Sequence, residues 1–129
     1  MLTHVMVGTN DLDKSKQFYD AVLATLGVPE PRDDGGRRFM YRSNGMTFGI
    51  TEPIDGEPST AANGGTIGFA AHSPDAVNKF HEAGLRNGGS TCEDPPGLRP
   101  LEAGGGYYLA YLRDPDGNKI CAVHWVRPE

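Results

Sequence analysis

The sequence is poor in cysteine and contains a single tryptophan among its 129 residues. Its two cysteines lie in segments of different character, because Cys92 is in a polar, proline-flanked stretch and Cys121 is in an apolar strand pattern. Intracellular thiols normally stay reduced, so we expect no disulfide between them. No apolar run approaches the roughly 20 residues of a membrane-spanning helix, and the first residues lack a basic stretch followed by an apolar one. These absences predict a cytoplasmic protein with no membrane partner.

Basic side chains are also in short supply. Twelve lysines and arginines stand against seventeen aspartates and glutamates, which gives a formal net charge of −5. Such a chain has no general attraction for phosphate backbones, so a nucleic-acid partner is not expected. The length suits one domain with one core. Eighteen glycines and ten prolines are scattered without a period, which is typical of a turn-rich α+β domain.

The chain contains one pattern written twice, with a displacement of 62 residues. Repeated units that cannot bury their apolar faces alone must pair with each other. We therefore expect a single domain with a first unit at about 1–54, a linker at about 55–65 and a second unit at about 66–127. The copies differ at a polar position near the first strand, which is His4 in one and Thr66 in the other. Matched pairs include Val5 and Ile67, Phe18 and Phe80, Leu23 and Leu85, and Gly27 and Gly89.

Each copy predicts a strand, a helix and then further short strands. In the first copy, residues 2–8 alternate as a half-buried strand does, and a helix at about 11–26 follows, with Asn10 as its cap and Gly27 as its left-handed stop. In the second copy, Ser73 caps a helix whose first residue is Pro74. Its expected buried residues are Val77, Phe80, Ala83, Gly84 and Leu85. The remaining predicted strands are 37–43, 46–52, 66–71, 90–94, 106–113 and 118–126, with a tight turn at 114–118.

Strand alternation divides these strand residues into two sets, because neighbouring residues point to opposite faces of a sheet. The bulky set is expected to cover the helices: Val5, Val7, Phe48, Ile50, Ile67, Phe69, Ile120 and Ala122. The other set is mostly small: His4, Met6, Gly8, Gly49, Thr66, Gly68, Ala70, Cys121, Val123 and Trp125. Small residues cannot fill a tight core, so this face is expected to form a small-molecule pocket. Either Tyr107 or Tyr108 shares the face, because the two are adjacent on one strand.

Three segments resemble the glyoxalase, bleomycin resistance and extradiol dioxygenase group, also called the vicinal oxygen chelate superfamily. They are HVMVGTNDLDKSKQFYDAVL at 4–23, TIGFAAHSPDAVNKFHEAGL at 66–85 and GYYLAYLRDPDGNKICAVHW at 106–125. The resemblance implies an α+β fold in which two βαβββ units form a cupped mixed sheet with helices on its outer face. It also implies a site that dimerisation often completes. Together with exposed strand edges, this favours a homodimer.

The resemblance further implies a divalent metal ion held by four side chains, usually histidine or glutamate. Carried over onto this chain, the four positions are His4, Gly49, Thr66 and Cys121. His4 alone matches the usual residue types, and Cys121 is a soft ligand at best. Two unlike ligands hold a divalent ion poorly, so we expect no complete metal site; the alternative is a divalent ion bound through His4.

The main hypothesis is a glyoxalase/bleomycin resistance-like protein that binds a small organic molecule in its cup. If the protein is catalytic, His4 is the expected acid or base, and Arg99 is a candidate clamp for a substrate carboxylate. One alternative is a metal-dependent lyase, isomerase or dioxygenase of the same superfamily. Another is a non-catalytic interaction protein with a vestigial cup. The expected ligand-binding residues are Met6, Gly49, Thr66, Gly68, Arg99, Tyr107, Tyr108, Cys121, Val123 and Trp125.

Overall fold

The computed structural model describes residues 1–129 and contains two βαβββ units, each with a four-stranded mixed sheet. The first unit consists of β1 (His4–Gly8), α1 (Leu12–Ala24), β2 (Arg32–Asp34), β3 (Arg38–Ser43) and β4 (Met46–Thr51). The second consists of β5 (Ile67–Ala70), α2 (Pro74–Arg86), β6 (Ser90–Pro100), β7 (Gly106–Arg113) and β8 (Lys119–Val126). The α+β fold of two repeated units is confirmed, and α1 and α2 keep the displacement of 62 residues at both ends.

The two sheets have the same topology. Their strand orders are β1-β4-β3-β2 and β5-β8-β7-β6. The first strand of each unit pairs in parallel with the last, and the other pairings are antiparallel. Each helix packs on one face of its own sheet, and the two helices contact each other. The face turned away from the helices is called here the open face of each sheet.

The helix caps agree with the sequence in one unit and differ in the other. Ser73 caps α2 as predicted, and its hydroxyl accepts a hydrogen bond from the amide of Ala76 at 3.0 Å. The N-cap of α1 is Asp11, whose carboxylate accepts a hydrogen bond from the backbone amide of Lys14. The prediction that Asn10 caps this helix is therefore wrong. The Asn10 side chain is occupied elsewhere, because it exchanges two hydrogen bonds with the backbone of Ser59 in the linker.

Two strands depart from the sequence expectation. Strand β2 was not predicted, because its residues Arg-Asp-Asp show no apolar alternation and become a strand only by pairing with β3. Strand β6 runs on through two prolines to Pro100, although the pattern predicted an end near 94. Prolines are tolerated there because β6 is an edge strand and its pairing with β7 is irregular between Cys92 and Gly97. Arg99 therefore lies on a strand and not in a loop.

The hydrophobic core is shared by both units. The rings of Phe48 in β4 and Phe69 in β5 meet edge to face with centroids 5.1 Å apart. Leu85, expected in the buried stripe of α2, is 43% exposed. It lies one residue beyond the buried face, where Gly84 packs closely against Leu112. The main buried side chains are Phe18, Tyr19, Val22, Leu23, Tyr41, Phe48, Ile50, Val77, Phe80, Leu112 and Ile120.

A buried polar network also joins the units. One oxygen of the Asp114 carboxylate accepts from the Tyr19 hydroxyl at 2.6 Å and from the Asn118 side chain at 2.9 Å. The other accepts from the backbone amides of Asp116 and Asn118. The Asn118 side chain also donates to the carbonyl of Gly8. The turn between β7 and β8 is thus fastened to α1 and β1 of the first unit. Neither helix is long and apolar enough to cross a membrane.

Candidate functional site

The strand register places the candidate residues in equivalent positions of the two units. On the first sheet, Met6 of β1 lies opposite Gly49 of β4. On the second sheet, Gly68 of β5 lies opposite Cys121 of β8. Since Met6 and Gly68 are 62 residues apart, Gly49 and Cys121 are structural counterparts. His4 is two residues from Met6 on the same strand face, so it belongs to the same open face as Gly49.

The space above Gly49 is filled by methionine side chains. Gly49 is flanked in the sheet by Met6 on one side and Met40 on the other. A Cβ atom added to Gly49 would overlap the Met6 side chain and would lie 2.8 Å from the Met40 sulfur. Gly49 is buried under the two side chains. Glycine itself supplies no ligand atom from a side chain, and a side chain placed here would require the flexible ends of both methionines to move.

The other carried-over metal positions lack a matching donor set. His4 is exposed, and its Nδ1 lies 2.8 Å from the Thr3 hydroxyl. Thr66 is exposed and precedes β5 by one residue. Cys121 is buried, and burial raises the pKa of its thiol to about 11, so the sulfur is a neutral thiol at pH 7. No group of three or more histidine, cysteine, aspartate or glutamate residues is placed to hold a metal ion. The residues present do not fit the four-ligand divalent site that the resemblance implies.

An aromatic pair lies on the open face of the second sheet. Tyr107 and Trp125 are directly opposite each other on β7 and β8, with ring centroids 5.1 Å apart. Each of the two side chains is 43% exposed. With Gly68, Ala70 and Val123 they line an open pocket of about 540 Å³. Exposed aromatic faces beside small residues suit the stacking of a flat organic molecule.

The strand register shows which of the two adjacent tyrosines, Tyr107 or Tyr108, lies on the open face. Tyr108 points to the helix side, where its hydroxyl donates to the Asn78 side chain of α2 at 2.9 Å. It packs against the core and does not line the open face. The expectation that Tyr108 contacts a ligand therefore needs correction, because neighbouring strand residues take opposite faces and Tyr107 takes the open one.

Arg99 is placed beside the aromatic pair but its guanidinium is occupied. It lies opposite Tyr107, so Arg99, Tyr107 and Trp125 form one row across three strands. Its terminal nitrogens donate to three backbone carbonyls of β6, at 3.1 to 3.2 Å. These acceptors are Asp94, Pro95 and Gly97, which span the irregular part of the strand. Arg99 therefore stabilises the irregular part of β6 through hydrogen bonds to its backbone.

Sequence reasoning missed Met40, whose sulfur contacts the position of Gly49. A signal was present in the chain, because Asn44-Gly45 is a two-residue hairpin turn in which both residues have positive φ. Such a turn pairs Ser43 with Met46, and counting back three residues on each side pairs Met40 with Gly49. Tyr111, which lies opposite Cys121, and Leu109, which lies opposite Val123, were also missed.

Comparison with known proteins agrees with this fold. The family model of the Glyoxalase/Bleomycin resistance protein/Dioxygenase superfamily matches residues 1–122 of this chain. A crystal structure of a glyoxalase/bleomycin resistance protein from Albidiferax ferrireducens T118 is 58% identical, with a TM-score of 0.89 and 99% of each chain covered. No curated protein gives a significant match.

More distant structures share the fold alone. A glyoxalase/bleomycin resistance protein/dioxygenase family enzyme from Burkholderia phytofirmans PsJN is 16% identical, with a TM-score of 0.70, over 95% of this chain and 96% of that one. Lactoylglutathione lyase from Agrobacterium tumefaciens is 18% identical, with a TM-score of 0.65, over 96% and 92% of the two chains. The extent of the family match and the 58% identity together decide the assignment. This chain belongs to the Glyoxalase/Bleomycin resistance protein/Dioxygenase superfamily.

Proposed function

We propose that the protein binds a small, flat organic molecule on the open faces of its sheets, without the help of a divalent metal ion. The observation that carries the proposal is the exchange of residue types at the implied metal positions. Methionine sulfurs fill the space above Gly49, and a neutral thiol stands at Cys121. An exposed aromatic pair lies on the same face as Cys121.

The contacts available to such a ligand are mainly apolar. Stacking on Tyr107 and Trp125 supplies most of the affinity, because aromatic side chains bury a large area in a fixed geometry. The small side chains of Gly68 and Ala70 let the ligand approach the sheet closely. Val123 adds an apolar side chain to the lining of the pocket. The polar groups proposed to hydrogen-bond the ligand are His4 and Thr66, which are exposed and lie outside the lining of this pocket.

A homodimer is part of the proposal. Each open face is bordered by exposed strand edges, β2 in the first sheet and β6 in the second. A second copy placed over these faces would shield the exposed aromatic pair from water and enclose the ligand. Sedimentation equilibrium over a range of protein concentrations tests whether the protein forms a homodimer. A monomer at all concentrations, with ligand present, would contradict it.

The binding arm is tested by calorimetric titration in the presence of a metal chelator. Two probes are used: 8-anilinonaphthalene-1-sulfonate, and metal-free bleomycin, because bleomycin resistance proteins belong to the same superfamily. We expect that Trp125→Ala and Tyr107→Ala each weaken binding by about tenfold or more, the equivalent of ~1.4 kcal/mol. Tyr108→Phe is the matched control, because its ring faces the helices and its loss of one hydroxyl leaves the open face unchanged.

Two results would overturn the proposal. One is binding that is unaffected by Trp125→Ala. The other is near-stoichiometric nickel, zinc, manganese or iron(II) that survives desalting and disappears in His4→Ala, since this is the behaviour of a metal-dependent lyase or dioxygenase. If the protein turns over its ligand, His4 is the acid or base, and His4→Gln abolishes turnover while ligand affinity is kept.

A further inference from the structure

The open face of the first sheet carries two methionines, close to His4, to which the proposed function gives no role. Met6, Met40 and His4 line one pocket of about 370 Å³. We propose that these three residues form a binding site for a soft monovalent metal ion of the copper(I) type. The site is separate from the aromatic pair of the second sheet, and its existence does not depend on the small-molecule proposal.

The sheet register brings the two thioethers together. Met6 on β1 and Met40 on β3 are separated by the central strand β4, and both lie opposite Gly49. Any side chain at residue 49 would stand between them. Because glycine has none, both methionines lean over the central strand, and the sulfurs of both crowd the place where a Cβ atom would be. The two sulfur atoms are therefore neighbours on the same small area of the sheet.

The third donor of the proposed site is His4, which lines the same pocket as the two methionines. It precedes Met6 by two residues on β1, so its side chain points to the same face. The Thr3 hydroxyl lies 2.8 Å from its Nδ1, which leaves Nε2 without a protein partner. The three donors come from two strands of one sheet, and His4 and both methionines are partly or fully accessible to solvent. An ion can reach them without unfolding the sheet.

The chemistry of the donors selects the ion. Thioether sulfur is a soft, uncharged ligand that favours copper(I), whereas calcium, magnesium and manganese prefer oxygen. The single carboxylate lining the pocket, Asp34, is already paired with Arg38 at 2.8 Å. Arg42 lies in the same pocket and has no acidic partner. Its charge repels a divalent ion more strongly than a monovalent one, which adds to the preference for a single positive charge.

Silver(I) is the probe, because it has the same charge and softness without redox chemistry. The full-length protein carries ¹³C-labelled methionine methyl groups and is titrated with silver(I) while its methyl resonances are followed. We expect a change at one equivalent in the Met6 and Met40 resonances, with Met1 and Met46 unmoved. Met40→Leu should weaken silver(I) binding by about tenfold or more. Met46→Leu is the matched control, because Met46 lines a different pocket.

The two cysteines are the competing sites for a soft ion, so the titration is repeated in Cys92→Ser/Cys121→Ala protein. Retained shifts of Met6 and Met40 in that background support the site. Silver(I) binding that disappears with the thiols, or that leaves both methionine resonances unmoved, would overturn it. The proposal would also fail if Met40→Leu and Met46→Leu bound silver(I) equally well. A loss of affinity in His4→Ala, with circular dichroism unchanged, assigns the third ligand.

Discussion

At the scale of single residues, the buried carboxylate of Asp114 joins the β7–β8 turn to helix α1. Its carboxylate is 3% exposed and receives four hydrogen bonds, from Tyr19, Asn118 and two backbone amides. Burial nevertheless raises the pKa of Asp114 above its ordinary value of 3.8, because desolvation of the charge outweighs the hydrogen bonds that favour it. The group therefore binds its proton more readily in the folded chain than in the unfolded one.

The raised pKa of Asp114 makes the free energy of unfolding depend on pH. A carboxyl group with a raised pKa contributes most stability at low pH, and the contribution is lost as pH rises from the ordinary aspartate pKa through the folded one. We expect Asp114→Asn to lower the free energy of unfolding by about 1–3 kcal/mol at pH 7, because an amide nitrogen cannot accept the hydrogen bonds that one carboxylate oxygen receives. Urea unfolding at pH 4.5 should show a larger deficit than at pH 7. The exposed Asp94→Asn is the control, and a deficit independent of pH would contradict the assignment.

The thiols give a second prediction at this scale. Cys121 is buried and the pKa of its thiol is raised to about 11, whereas Cys92 is partly exposed. Because the thiolate is the reactive form, iodoacetamide at pH 8 should alkylate Cys92 much faster than Cys121. Mass spectrometry of the labelled peptides measures the two rates. Alkylation in urea is the reference, in which the two cysteines should react at equal rates. If Cys92 and Cys121 also react at equal rates in the native protein, Cys121 is not protected by the fold.

At the scale of elements, a glycine follows the helix in each unit, but glycine is required for a different physical reason at each of the two positions. Gly27 and Gly89 are 62 residues apart and follow α1 and α2. Gly27 has φ of 79° and open space around it, so glycine is needed there for its backbone conformation. A Cβ atom on Gly89 would lie 2.9 Å from the Gly84 carbonyl and 3.0 Å from the Arg113 carbonyl. Glycine is needed at 89 for space.

The two glycines should therefore respond differently to asparagine, which tolerates positive φ. Gly27→Asn is expected to lower the free energy of unfolding by less than about 1 kcal/mol, since only the conformational preference changes. Gly89→Asn places a side chain between two backbone carbonyls and should cost about 1–3 kcal/mol or more. Chemical denaturation of the two variants side by side checks this. Similar losses at the two positions would show that space around Gly89 is not the constraint.

The elements also show what the sequence could and could not predict. Both helices and most strands follow from periodicity, and the tight Asn44-Gly45 turn carries the register that brings Met40 to Gly49. Strand β2 and the end of β6 do not follow, because their residues are charged or proline-rich and become strands only through tertiary pairing. The residues at the implied metal positions were read from a resemblance. The contact of two methionine side chains above Gly49 does not follow from the sequence, because no local pattern predicts where flexible side chains meet.

At the scale of the whole molecule, the two units share one core and one polar network, so we expect them to unfold together. Trp125, the single tryptophan, reports on the second unit. Ile50→Val removes one methylene from the fully buried core of the first unit and should cost about 1 kcal/mol. The fluorescence transition of Trp125 should move by the same amount as the far-ultraviolet circular dichroism transition. A Trp125 transition that stays in place would show that the units unfold independently.

The open faces of the two units have equivalent positions but different chemistry. Gly49 lies under two methionines in the first unit, and its counterpart Cys121 lies near aromatic side chains in the second. A molecule built from two equivalent units has two versions of each surface position, while the shared core keeps both halves folded. Selection can then alter one face without loss of the other. We expect substitutions among relatives to accumulate separately in the two faces.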